Sequence, residues 1–145
     1  MTTPSLDLAV AVARALGHPA RLRALAMLRT GELCVCQITE VLGLATSTVS
    51  LHLRELKRCG LVSERKEGRW AYMALSTDPE TKPWVETAIA AVGCDPQLEK
   101  DRRRVVELRR LPVEDLCRLG YEAAKARARS RPAAKRARRA RGGRQ

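Results

Sequence analysis

The stretch TSTVSLHLRELKRCGLVSERKEGRWAYMAL, residues 46–75, changes its period midway, and that change narrows what the chain can fold into. Up to Gly60, Val49, Leu53 and Leu56 recur at spacings of four and three, which gives a helix one inward face. Beyond Gly60 the pattern predicts two short strands around a turn near Glu67-Gly68. Trp70 and Tyr72 favour a strand, and Gly68 permits the positive φ of a tight hairpin.

Glycines divide the preceding sequence into three more helices. SLDLAVAVARALG ends at Gly17. HPARLRALAMLRTG places Pro19 in a first turn and Gly31 at a C-terminal cap. ELCVCQITEVLG ends at Gly43, and Thr46 or Ser47 is the expected N-cap of the helix that follows. Two short helices joined by Gly43-Leu44-Ala45, then a hairpin, make a mainly α winged helix-turn-helix. A loop to Pro83 precedes a helix from about Trp84 to Val92. Two further helical stretches open at Pro96 and Pro112. The expected organisation is residues 1–92 for DNA binding and dimerisation, 93–127 as a C-terminal helical extension, and 128–145 as a disordered basic tail.

The net charge of +12 misleads about the folded part. Ten of the 28 Lys and Arg lie between Lys125 and Gln145 without a single acid, leaving 18 basic and 16 acidic groups in the first 124 residues. The tail is expected to add DNA affinity through phosphate neutralisation but no sequence choice. Sequence choice falls to small polar groups at the start of the second helix: Thr46, Ser47, Thr48, Ser50 and His52, with Arg54, Lys57 and Arg58 nearby. Arg65, Lys66 and Arg69 flank the hairpin tip, where a wing reaches phosphates or a minor groove. No apolar run of about 18 residues predicts a membrane span. The N-terminus lacks the pattern of a signal peptide. Five cysteines, an odd number, point to a reducing cytoplasm and to metal binding or redox sensing. No nucleophile–base pair or phosphate loop argues for an enzyme.

Residues 16–75 resemble the arsenical-resistance repressor family (ArsR/SmtB). The resemblance rests on LGHPARLRALAMLRTGELCVC, on the S-x-H-L-x-x-L-x-x-x-G-L-V segment from Ser50 and on the R-x-E-G-R wing. One departure is Leu51, where the family often carries a basic residue. The resemblance implies a homodimer that binds a pseudo-palindromic operator and releases it on binding a metal or metalloid. Its dimer helices correspond to residues 6–16 and 84–92, where Leu6, Val10 and Ala13 share one stripe and Val85, Ala88 and Val92 another.

Within it, ELCVC resembles the inducer motif of the arsenite-responsive branch, with Cys34 and Cys36 as ligands of As(III) or Sb(III). Thiolates are soft ligands that select soft metals. Related Cd/Pb sensors share the motif, but they add cysteines from an N-terminal extension, and residues 1–33 contain none. The family's zinc site needs Asp, His and Glu on the dimer helix, whereas His18 and His52 both lie elsewhere. A third family cysteine is replaced by Thr39. A third sulfur would come from Cys94 or Cys117, from Cys59, from the other subunit or from a small thiol, or two sulfurs suffice; Cys94 is the strongest of these candidates, because it follows the helix ending near Val92. A redox or persulfide sensor pairing Cys34 or Cys36 with Cys94 or Cys117 is the alternative. A thiol-disulfide enzyme is disfavoured by C-x-C in place of C-x-x-C.

The spacing carries a mechanical expectation. On a regular helix, residues two apart diverge by about 200°. A helical LCVCQ would therefore hold the two sulfurs apart, and chelation would unwind the first turn and displace the reading helix through Gly43-Leu44-Ala45. Coupling of about 1–3 kcal/mol is typical of such a device. The helix N-terminus is expected to lower both thiol pKa values, with Glu32 opposing.

Overall fold

A computed structural model describes residues 5–131. Five helices and a small sheet build the N-terminal unit: α1 (Leu6–Leu16), α2 (Pro19–Leu28), β1 (Leu33–Cys34), α3 (Val35–Leu42), α4 (Thr46–Arg58), β2 (Val62–Glu67), β3 (Trp70–Leu75) and α5 (Lys82–Val92). α6 (Pro96–Arg109), α7 (Val113–Leu119) and α8 (Tyr121–Ser130) follow. The winged helix-turn-helix expected from residues 46–75 is present. No described helix is long and apolar enough to cross a membrane.

The core gathers the inward stripes. Val12, Leu25, Leu33, Ile38, Val49, Leu56 and Leu61 are all buried, drawn from helices, β1 and the loop before the wing. The hairpin β2–β3 is antiparallel, with Glu67 opposite Trp70, and Gly68 takes a φ of 59° at its tip. At the other end of the helix pair, Gly43 adopts a left-handed φ of 65°, and its N–H donates to Thr39 O at 3.0 Å. That cap ends α3 and turns the chain into α4.

One expectation fails at a decisive place. Leu33 and Cys34 do not begin a helix. They form a third strand, antiparallel to β3, with Leu33 opposite Met73 and Cys34 opposite Tyr72. Helix α3 starts only at Val35, with Cys34 as its extended N-cap (φ −68°, ψ 146°). The cause is pairing beyond the segment itself: β3 offers a free edge, and the buried Leu33 side chain fits the core only from an extended backbone.

Smaller differences follow similar logic. α5 begins at Lys82 rather than near Trp84, because Pro83 is tolerated in a first turn. The last expected helix breaks in two at Gly120, whose φ of 78° and ψ of 172° turn α7 away from α8. α8 then continues to Ser130, into the stretch expected to be disordered, and the rest of that tail lies outside the described residues.

The C-terminal helices are held to the N-terminal unit by three kinds of contact. Asp101 of α6, 3% exposed, accepts from Arg23 Nε at 2.8 Å and Nη2 at 2.9 Å. Leu108, Leu116 and Tyr121 form a second apolar cluster against Cys36, Val41 and Leu111. The backbone N–H of Tyr121 donates to Glu40 Oε1 at 3.2 Å. α3 is thereby enclosed between the sheet on one side and α6–α7 on the other, so its first turn faces the C-terminal extension.

Candidate thiol site and nucleic-acid interface

The strand-to-helix junction settles where the thiols point. Cys34 leaves an extended residue and Cys36 stands on the first turn of α3, so their side chains converge where a continuous helix would separate them. Cys34 N–H donates to Gln37 Oε1 at 2.8 Å, one half of a capping box that fixes this turn. α7 brings Cys117 to the same place. The three sulfurs of Cys34, Cys36 and Cys117 all lie within 4.8 Å of one another. Cys34 Sγ is 3.9 Å from Cys117 Sγ. Cys36 and Cys117 are joined as a disulfide, with 5.4 Å between their Cα atoms.

Burial dominates the Cys34 thiol and pushes its pKa up, against the opposing effect of the Cys36 and Val35 backbone N–H groups. The expected lowering by the helix N-terminus is therefore outweighed at Cys34, because only 1% of the residue is exposed. Cys59 stands apart. Its thiol donates to the backbone oxygens of Glu55 and Leu56 at 3.4 and 3.5 Å, and burial likewise raises its pKa. Cys94 is exposed beyond the end of α5 and is not among the gathered sulfurs. Thr39 spends its hydroxyl on the Val35 carbonyl, 2.8 Å away in its own helix.

At the reading helix, Ala45 is the N-cap of α4, with no side-chain capping bond, so neither Thr46 nor Ser47 caps it as expected. Their hydroxyls are free of that duty and stand exposed with Ser50 and Arg54, while Thr48 and His52 are half-buried. Leu51 is 55% exposed on the same helix, which gives it an apolar group where the family often has a cation. His52 packs against His18 with ring centroids 4.3 Å apart. Burial, then the charges of His18 and Arg21, lower the His52 pKa and favour the neutral ring. His18 itself caps α2, accepting from Ala20 N–H at 3.1 Å through Nδ1.

On the wing, Lys66 and Arg69 are exposed. Arg65 is occupied: it donates to Glu32 Oε1 at 2.6 Å and to Glu67 Oε2 at 2.8 Å, and lies 4.6 Å over the Tyr72 ring. Lys57 is similarly tied to Glu64 at 2.7 Å. The Glu32–Arg65 bond and the Cys34–Tyr72 pairing attach the thiol segment to the wing directly. Neither contact has a local signal in the sequence, since each joins residues far apart in the chain.

The comparisons agree with this architecture. Residues 18–64 match the profile described as "Bacterial regulatory protein, arsR family". The chain is 36% identical over 86 residues to "Arsenic resistance transcriptional regulator ArsR1" of Pseudomonas putida, a match covering 58% of this chain and 66% of that protein. The solved structure of reduced HlyU from Vibrio cholerae aligns with a TM-score of 0.54 at 35% identity, over 61% of this chain and 92% of that one. The homodimeric winged helix-turn-helix DNA-binding domain Mb0332 from Mycobacterium bovis aligns with a TM-score of 0.54 at 29% identity, over 66% of this chain and 94% of that one. With the reading helix, the wing and these similarities together, the chain belongs to the ArsR family of winged helix-turn-helix transcriptional regulators.

Proposed function

We propose that the chain is an operator-binding repressor of an arsenic-resistance operon, released when As(III) or Sb(III) binds Cys34, Cys36 and Cys117. The observation that carries this reading is the gathering of three sulfurs within 4.8 Å. Cys34 Sγ and Cys117 Sγ, 3.9 Å apart, are close enough for one atom to bridge them. Soft thiolates with no carboxylate or imidazole among them suit a thiophilic element. The relative's printed name, an arsenic resistance regulator, points the same way.

The switch differs from an unwinding helix. The junction already presents both sulfurs on one side, so inducer binding needs no melting of α3. Drawing Cys117 and Cys34 onto one atom pulls on β1, and β1 is hydrogen-bonded to β3 of the wing. The wing with Lys66 and Arg69 would shift relative to the reading helix with Thr46, Ser47, Thr48, Ser50, His52 and Arg54. A change of about 1–3 kcal/mol between the two states suffices for regulation.

A second reading has its own observation. The Cys36–Cys117 disulfide supports a redox-sensing role for the same cluster, and a relative has been solved in a form named as reduced. Operator binding titrated separately with As(III), Sb(III), Cd(II), Zn(II) and peroxide distinguishes the readings. Release by As(III) or Sb(III) from the reduced protein supports the first. Release by peroxide alone supports the second.

The pH dependence separates metalloid from metal. Three thiols and As(OH)3 give the tris-thiolate and three waters, with no net proton released while the thiols are protonated. Cd(II) must displace the thiol protons. The Cys34 pKa is raised, so its proton is present at neutral pH. As(III) affinity should therefore stay flat between pH 6 and 8, while Cd(II) affinity should climb across the same range. Isothermal titration in two buffers of different protonation enthalpy would expose the proton count, and a flat Cd(II) curve would contradict it.

We further propose a homodimer through α1 and α5. Leu6 is 80% and Val10 43% exposed on one stripe of α1, an apolar face without cover among the described residues. Val85 turns into the chain's own core, so α5 contributes Ala88 and Val92 from its expected stripe. Sedimentation at micromolar concentration should show a dimer, and Leu6→Glu with Val10→Glu should shift it to monomer. An unchanged dimer would place the interface elsewhere.

A further inference from the structure

Of the three gathered cysteines, Cys117 also lines a cavity. The cavity, of about 660 Å³, lies between the wing tip and α7–α8. Arg69, Arg118, Arg127, Arg131, Asp115 and Cys117 line it, with Trp70 and Glu114. Its charge is mixed but net cationic. Asp115 is 3% exposed, and among the described residues its buried Oδ2 has no hydrogen-bond donor. Arg127 and Arg131 approach its two oxygens only at 3.4 and 3.6 Å. Arg69 and Arg118 are exposed at the cavity wall. A buried acceptor left without a donor is costly unless a ligand supplies one.

We propose that this cavity binds a carboxylate-bearing aminothiol of low molecular weight, which opens the Cys36–Cys117 disulfide by attack on Cys117. The inference rests on the redox reading of the cluster. The volume lies in the range of small-molecule sites. Carboxylates fit Arg69 and Arg118 through charge-assisted bonds. An ammonium supplies the donor that Asp115 Oδ2 lacks. A phosphodiester offers no such donor and would sit against two carboxylates, which argues against a DNA phosphate as the occupant.

The regiochemistry follows from access. Cys117 lines the cavity, so its sulfur is the one in reach. Cys36 does not line it and packs from the first turn of α3 against the second apolar cluster, so Cys36 is the sulfur that leaves. The ligand thiolate forms a bond to Cys117 Sγ, the bond between Cys117 and Cys36 breaks, and Cys36 leaves as thiolate. A second thiol molecule then attacks the ligand sulfur of the mixed disulfide. It releases Cys117 as thiolate and carries the oxidation away as the symmetrical small disulfide. The outcome is three reduced sulfurs, the state that the metalloid reading requires.

The test uses the full-length oxidised protein, with thiol counting first to establish the Cys36–Cys117 bond. Glutathione, 2-mercaptoethanol and cysteamine are then compared at equal thiolate concentration. Glutathione is expected to open the bond at least about tenfold faster than 2-mercaptoethanol, the gain of one charged hydrogen bond, with a rate that saturates. Cysteamine, which lacks a carboxylate, should show no such gain. Acid quenching and peptide mass spectrometry should find glutathione on Cys117. Arg118→Ala should erase the advantage of glutathione while leaving the rate with 2-mercaptoethanol unchanged, which also shows that the variant is folded. Equal rates for glutathione and 2-mercaptoethanol, an Arg118→Ala variant that keeps the advantage, or glutathione found on Cys36 would each overturn the site alone. Failure of oxidised protein to form the Cys36–Cys117 bond would overturn the redox reading and the site with it.

Discussion

Cys117→Ser is expected to leave operator binding intact and to raise the As(III) concentration needed for release by more than about a hundredfold. Changes in groups that merely support a metal ligand cost about 10- to 100-fold in affinity, and this change removes one of three ligands. Cys117 lies on α7, outside α4 and the wing, so the groups proposed to contact DNA are untouched. Cys34→Ser and Cys36→Ser should behave alike. Serine is a favoured N-cap, so Cys34→Ser keeps the strand-to-helix junction. Cys59→Ser and Cys94→Ser serve as controls, since neither sulfur joins the cluster. Fluorescence anisotropy on labelled operator, titrated with As(III), reads all five. Release of Cys117→Ser at wild-type As(III) concentrations would show that Cys34 and Cys36 suffice, and would leave Cys117 with a redox role.

How much of this was legible beforehand varies with the range of the interaction. Val49, Leu53 and Leu56 face the core as their spacing required, and Gly68 turns the hairpin. These features depend on neighbours within a few residues. The strand at Leu33–Cys34 was not legible, because it exists only through a partner some forty positions away in β3. From CVCQITEVL alone the amphipathic period is helical, and tertiary pairing overrides it for two residues. Those two residues decide how the thiols face.

The same holds for the third sulfur. The sequence favours Cys94 over Cys117, because Cys94 follows the helix ending near Val92, whereas the structure gathers Cys117; the turn at Gly120 and the docking of α6 cannot be read from either cysteine's surroundings. What selects Cys117 spatially is the packing of Leu108, Leu116 and Tyr121 against α3. The pairing of the wing cations was hidden for a related reason. Position alone places Arg65 beside Lys66 and Arg69 at the hairpin, and only the fold brings Glu32 and Glu67 to it over the Tyr72 ring.

Asp101→Ala should be among the most destabilising single changes, at about 2–3 kcal/mol, and it should also blunt the inducer response. Asp101 accepts from both Arg23 nitrogens and from Gln97 Nε2 at 2.8 Å, and it is the one buried ion pair joining α6 to α2 among the described residues. Removing the carboxylate leaves a half-enclosed guanidinium without its partner. The cost falls short of that for a fully buried pair because 23% of the Arg23 side chain remains exposed and its Nη2 keeps a 3.2 Å bond to Val41 O. Thermal unfolding at fixed protein concentration should drop by roughly 10 °C. The exposed Glu99–Arg102 pair on the same helix offers the contrast: Arg102→Ala should leave the melting temperature essentially unchanged, despite its 2.6 Å separation, because solvent screens the pair. The functional consequence follows from position. α6 is the spacer that delivers α7, and with it Cys117, to the first turn of α3. Loosening its anchor widens the distribution of Cys117 around Cys34 and Cys36 without touching α4 or the wing. Asp101→Ala protein, assayed well below its lowered melting temperature, should hold operator normally yet require more As(III) to release it. Unimpaired As(III) sensitivity in that variant would mean that the apolar cluster of Leu108, Leu116 and Tyr121 alone suffices to place the third sulfur.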